Sequence, residues 1–102
     1  MTEDGTYLYI CGTTFTSSTN NFDFVTLMIR KSDGAIQWAK TFNGSASNYD
    51  IATSIVLSSI PSQAGIFVTG IAYNTSTSLD YHTIKYDDGG NVIWQQTMII
   101  YL

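Results

Sequence analysis

Few residues in this sequence could do chemistry. The only histidine is His82 and the only cysteine is Cys11, beside eight acidic and four basic side chains. A lone histidine brings no second ligand for a metal ion. No Gly-x-Ser-x-Gly elbow accompanies it to suggest a nucleophilic triad. His82 is therefore expected to pack within a sheet. Cys11, without a partner thiol, can form neither an intrachain disulfide nor a cysteine zinc cluster, and is expected to pack as a small apolar residue. The run Asp87-Asp88-Gly89-Gly90-Asn91 resembles a calcium loop but lacks the alternating ligands and distal Glu of an EF-hand, so it reads as a solvated turn. Gly89 and Gly90 make no phosphate-binding pattern. Asp23, Asp50 and Asp80 are placed to bond backbone amides near turns. Trp38 and Trp94 read as core residues, with stacking on a sugar ring as the alternative. The expectation is a chain with no catalytic, cofactor-binding or metal-ligating residues, and no enzyme.

Strands must position these residues. Val, Ile, Thr, Tyr, Phe and Trp number 44 of the 102 residues, against 23 good helix formers, which is an all-β composition. No window repeats apolar residues at helical spacing. Strands are expected at about 7–12, 23–31, 35–42, 50–58, 66–72, 80–87 and 91–99. Ser32-Asp33-Gly34 and Asp87-Asp88-Gly89-Gly90 supply positive-φ turns between them. Pro61 marks another break, and residues 16–21 and 74–78 read as Ser/Thr/Asn loops. Tyr7-Leu8-Tyr9-Ile10-Cys11 and Ile66-Phe67-Val68-Thr69 are nearly continuous apolar runs, a pattern expected of sheets covered on both faces. With no helices to cover them, sheet must lie on sheet.

The chain repeats itself. Gly12 and Gly70 are 58 residues apart; Asp23 and Asp80, and Thr26 and Thr83, are 57 apart; Gly34 and Gly90, and Trp38 and Trp94, are 56 apart. Tyr9-Ile10-Cys11-Gly12 matches Phe67-Val68-Thr69-Gly70, Asp23-Phe24-Val25-Thr26-Leu27 matches Asp80-Tyr81-His82-Thr83-Ile84, and Gly34 to Trp38 matches Gly90 to Trp94. Four short strands per 40–50 residues is the signature of a propeller blade. The chain thus reads as one unit of two repeats, about 7–43 and 50–99. The second has all four strands. The first lacks its opening strand, because residues 1–6 look too short to provide one.

These residues resemble the SBBP-type repeats of seven-bladed β-propellers. The resemblance rests on Phe67-Val68-Thr69-Gly70, on Asp80-Tyr81-His82-Thr83-Ile84-Lys85-Tyr86-Asp87 and on Gly90-Asn91-Val92-Ile93-Trp94. Phe42-Asn43-Gly44 and Asp50-Ile51-Ala52-Thr53-Ser54-Ile55 extend it. It is specific in the second repeat; the first departs from it, with Met28 where Lys85 stands and Arg30-Lys31 at the turn. The apolar tail, residues 97–102, departs as well. What the resemblance implies is an all-β fold of two antiparallel β-propeller blades, a partial propeller completed by further blades from the same or other chains.

Charge and size narrow the function classes. Only 12% of residues are charged and the net charge is −4, which offers no basic footprint for nucleic acid. The longest apolar stretches are too short to span a membrane as a helix. Residues 1–5 carry no signal-like segment, Asn43-Gly44-Ser45 and Asn74-Thr75-Ser76 fit the N-glycosylation sequon, and the compartment stays open, with an extracellular place implied only by the resemblance. A blade alone would expose apolar faces and an unpaired edge. The expected function is therefore a non-catalytic β-propeller repeat segment with a structural or protein-interaction role, in a larger complex or a homo-oligomeric ring. The alternative is part of a ligand-binding or enzymatic propeller, carbohydrate-binding or quinoprotein-like.

Overall fold

Eight strands and no helix make up the computed structural model, which describes residues 1–16, 21–43, 50–74 and 78–99. In chain order these are β1 (Thr2–Glu3), β2 (Tyr7–Thr16), β3 (Asn21–Arg30), β4 (Ile36–Phe42), β5 (Ile51–Ser58), β6 (Gly65–Asn74), β7 (Ser78–Tyr86) and β8 (Val92–Ile99). They form two four-stranded antiparallel sheets, ordered β1-β2-β3-β4 and β5-β6-β7-β8. Each sheet is a simple meander, so every strand pairs with its sequence neighbour. The fold class is all-β, and the seven expected strands are all present.

One expectation is corrected. The first sheet does not lack an opening strand: Thr2 pairs with Tyr9 and Glu3 with Leu8. The device is a tight reversal at Asp4-Gly5. The Asp4 carboxylate accepts hydrogen bonds from the Thr6 and Tyr7 amides, both at 2.7 Å, and the Tyr9 hydroxyl donates to its other oxygen at 3.0 Å. Two paired residues suffice once an Asx-type turn folds them back. Lys31 then ties this edge to the β3–β4 turn, with its amide donating to the Thr6 carbonyl at 2.9 Å.

Strands β2, β3 and β6 also run longer than the apolar pattern suggested. Thr13, Thr14 and Phe15 pair with Phe24, Asp23 and Phe22, beyond the expected end at residue 12. Threonine is polar in composition yet β-branched in shape, so it continues a strand where a hydropathy reading sees a loop. The sequons at Asn43 and Asn74 and the loops after Thr16 and Asn74 fall wholly or partly outside the described residues.

The repeat is visible in the geometry. In β4, Gln37 is an extra residue between the pairs Met28–Trp38 and Ile29–Ile36; in β8, Ile93 is extra between Lys85–Trp94 and Tyr86–Val92. These bulges occupy equivalent repeat positions. The turns beside them close with equivalent bonds, Arg30 N–H to the Ala35 carbonyl and Asp87 N–H to the Asn91 carbonyl, both at 2.9 Å. Four residues lie inside the first turn and three inside the second, which is where the repeat spacing falls from 57 to 56. Both turns contain a left-handed glycine, Gly34 at φ 75° and Gly90 at φ 82°.

The core lies between the sheets. Tyr9, Phe24 and Met28 from the first sheet meet Ile55, Ile66, Val68, Ile84 and Tyr86 from the second. Burial alternates along β7: Asp80, His82, Ile84 and Tyr86 are buried, while Tyr81, Thr83 and Lys85 between them point away. The expectation that both faces of each sheet are covered is met on one face only. The outward faces carry Ile36, Val56, Tyr81, Trp94 and Met98, each at least 40% exposed.

Candidate interaction surface

Two kinds of surface could carry function: the junction between the sheets and the faces left bare. At the junction the aromatic side chains of the first sheet reach the backbone and rings of the second. The Phe42 ring stacks on the His82 imidazole with centroids 4.0 Å apart and planes 8° apart, and Phe24 meets both edge-on. His82 Nδ1 bonds the Thr97 hydroxyl at 2.9 Å, and Nε2 bonds Gln95 Oε1 at 3.0 Å. Both ring nitrogens are thus occupied by side chains of the adjacent strand. This geometry fixes the ring rather than presenting it to a substrate.

Trp38 makes a second contact across the junction. Its indole N–H donates to the Asp88 carbonyl at 3.0 Å, and its ring packs on Tyr86 at 5.7 Å. The turn it covers is held by Asp87, whose Oδ1 accepts the Gly89 and Asn91 amides and whose Oδ2 accepts the Asn91 side-chain amide. Those bonds hold the Asp87 carboxyl below its ordinary range, the Asn91 amide contributing most. The backbone amides of Tyr7 and Thr6 do the same for Asp4.

Asp4, Asp87 and Asp88 line a cavity of about 250 Å³ at this end of the junction, with Tyr9, Leu57 and Ile66. The carboxylates of Asp4 and Asp87 there already accept hydrogen bonds from backbone amides. Among the described residues no group of three His, Cys, Asp or Glu side chains gathers that could hold a metal ion. No helix among them is long and apolar enough to cross a membrane.

Of the other residues singled out by sequence, Asp50 bonds a backbone amide as expected, accepting from Tyr73 N–H at 3.0 Å. Asp80 is buried on the junction face. Asp23 instead keeps its Oδ1 buried without a partner among the described residues, and burial pushes its pKa up. Cys11 packs against the core from its half-buried position, and burial raises its thiol pKa. The two tryptophans, alike in repeat position, are not alike in place. Trp38 packs at the junction, whereas Trp94 lies on the bare face of the second sheet, 40% exposed and 6.0 Å from Phe67.

The register shows that the sheets meet through opposite faces. The first sheet buries Phe24, Thr26 and Met28, whose repeat equivalents Tyr81, Thr83 and Lys85 are on the outward face of the second. The second buries His82, Ile84 and Tyr86, whose equivalents Val25, Leu27 and Ile29 are on the outward face of the first. The junction is head to tail, not face to identical face. The repeat spacing locates the two units along the chain but does not carry this polarity.

No family model matches the chain, and no curated protein does.

Proposed function

We propose that this chain is a non-catalytic β-propeller repeat segment whose role is structural, joining further blades of its own kind in a larger assembly. The observation that carries the reading is the head-to-tail stacking of two four-stranded antiparallel meanders, each with its equivalent bulge and left-handed turn glycine. Blades of a propeller stack in that sense, each covering the opposite face of the next. The resemblance to SBBP-type repeats agrees with it through the residues from Phe67 to Trp94. The placing of His82 and Asp87 in structural hydrogen bonds supports the non-catalytic part, since both groups a reaction would recruit hold the fold instead.

Native mass spectrometry of the 102-residue chain tests the reading. A discrete species heavier than the 11.2 kDa chain, carrying no small molecule, is the expected result. A stable single-chain species would overturn it, and a co-purifying sugar, quinone or metal would turn it towards a ligand-binding propeller.

A further inference from the structure

We infer that the two bare faces of this chain are the two halves of one interface, and that each docks on a second copy of the chain by repeating the junction already inside it. This rests on the propeller reading but goes further, because it names which face meets which and through which residues.

The internal junction contains two places where an aromatic ring of the first sheet seats on a glycine of the second. Phe24 lies against Gly70, where an added Cβ would stand 2.8 Å from the Phe24 Cζ. Trp38 lies against Gly90, where an added Cβ would stand 2.8 Å from the Trp38 Cδ2. Each of these four residues has a repeat equivalent: Tyr81 for Phe24, Gly12 for Gly70, Trp94 for Trp38 and Gly34 for Gly90. The rings Tyr81 and Trp94 are on the outward face of the second sheet, 51% and 40% exposed. The glycines belong to the first sheet, and among the described residues no ring covers them: around Gly12, half-buried within the sheet, an added Cβ would find only Val25 Cγ1 at 3.9 Å, and around Gly34 nothing within 4 Å. Rings without seats and seats without rings therefore stand on opposite sides of one molecule. A heterologous contact of that kind joins copies in series, and closes into a ring when the rotation allows.

The surrounding rows match the same scheme. The outward face of the first sheet presents Leu8, Ile10, Val25, Leu27 and Ile36. The outward face of the second presents Thr83 and Met98 where the first sheet buries Thr26 and half-buries Phe42. Lys85 replaces buried Met28. Its stem lies across Gly65 and its ammonium stands 5.2 Å over the Phe67 ring, so the charge is drawn along the sheet. In the proposed contact Tyr81 of one copy seats on Gly12 of the next, and Trp94 covers Gly34, its indole N–H donating to a carbonyl of the 31–34 turn.

Two single variants and their mixture test this. Gly12→Val fills a seat that is open within the chain, and Tyr81→Lys alters an exposed ring, so circular dichroism of both should match the parent. The expected masses are an assembly for the parent chain, one chain for each variant alone, and a one-to-one complex when the variants are mixed, because the mixture restores one intact junction. Dimers formed by either variant alone would mean like faces pair, overturning this inference while leaving the propeller reading intact. Variants that assemble as the parent does would also overturn it. A single-chain mass for the parent itself would overturn both. Should either variant fail to fold, Ile36→Lys and Met98→Lys, at positions 60% and 66% exposed on the same two faces, replace them with the same expected pattern.

Discussion

The indole of Trp38 in the first sheet covers the left-handed Gly90 of the second and donates its N–H to the Asp88 carbonyl two residues earlier. Among the described residues, Trp94, fifty-six residues on, has no such turn beneath it, and Gly34, fifty-six residues back, has no indole above it. This one relationship, present once and available once more, organises the stability of the chain and its predicted assembly.

A pair of substitutions separates backbone cost from contact cost. In a chain kept monomeric by Tyr81→Lys, Gly34→Ala forces a side chain to φ 75° in open space and should cost about 1 kcal/mol. Gly90→Ala adds a collision with Trp38 to the same strain and should cost about 3 kcal/mol. Urea unfolding of both variants gives the difference, and equal losses would mean that Trp38 yields freely.

The strand glycines should differ in the same way. A Cβ on Gly70 would collide with the Ile51 carbonyl oxygen and stand 2.7 Å from the Ala52 Cα, backbone atoms fixed by the β5 bulge. Gly70→Ala is expected to lose about 3 kcal/mol or more. Gly12→Ala, with ordinary contact at 3.9 Å, should stay within about 0.5 kcal/mol of the parent in a chain kept monomeric by Tyr81→Lys.

His82→Ala should destabilise by about 3 kcal/mol, since it removes the ring stacked on Phe42 and leaves a cavity at the junction. His82→Phe keeps the stack and gives up only the bonds to Thr97 and Gln95, so its loss should be nearer 1 kcal/mol. Thermal unfolding of the two variants checks the order; a reversed order would mean the hydrogen bonds outweigh the packing.

Acid should weaken the turns. Asp33 is held at a pKa of about 2, chiefly by its hydrogen bond from Arg30, and Asp4 and Asp87 lie below the ordinary 3.8. A carboxyl with a folded-state pKa below its unfolded one stabilises fully above the unfolded value and loses that contribution as pH falls through the folded one. Asp23, raised by burial, has the opposite sign: the folded state favours its protonated form, so it gains as pH falls. Stability measured from pH 5 to 2 should therefore fall, most steeply below the ordinary carboxyl value, and Asp87→Asn should flatten the slope.

Much of this architecture is legible in the residues. The Gly-Trp pairs mark the turns and bulges, and the strand-forming side chains between them mark the strands. His82 was legible as a packing residue because it stands alone, without a second ligand or nucleophile. The β1 strand was not, although Asp4-Gly5 is a turn signal: two paired residues are too few to register as an apolar pattern. The extended end of β2 was hidden by threonine, which reads as polar and folds as β-branched, and the added start of β3, Asn21 and Phe22, is set by pairing with that end.

Residue order alone establishes an all-β chain, its repeat spacing and its turn glycines, because propensity and positive φ are properties of short stretches. Tertiary structure alone decides which side of each sheet is inside. A strand shows two faces at a period of two residues, and here both faces carry large apolar side chains, so apolarity along the chain does not decide which one is covered. Only the neighbouring sheet does so, by covering one, and in this way Trp38 and Trp94, identical in pattern, come to have different surroundings.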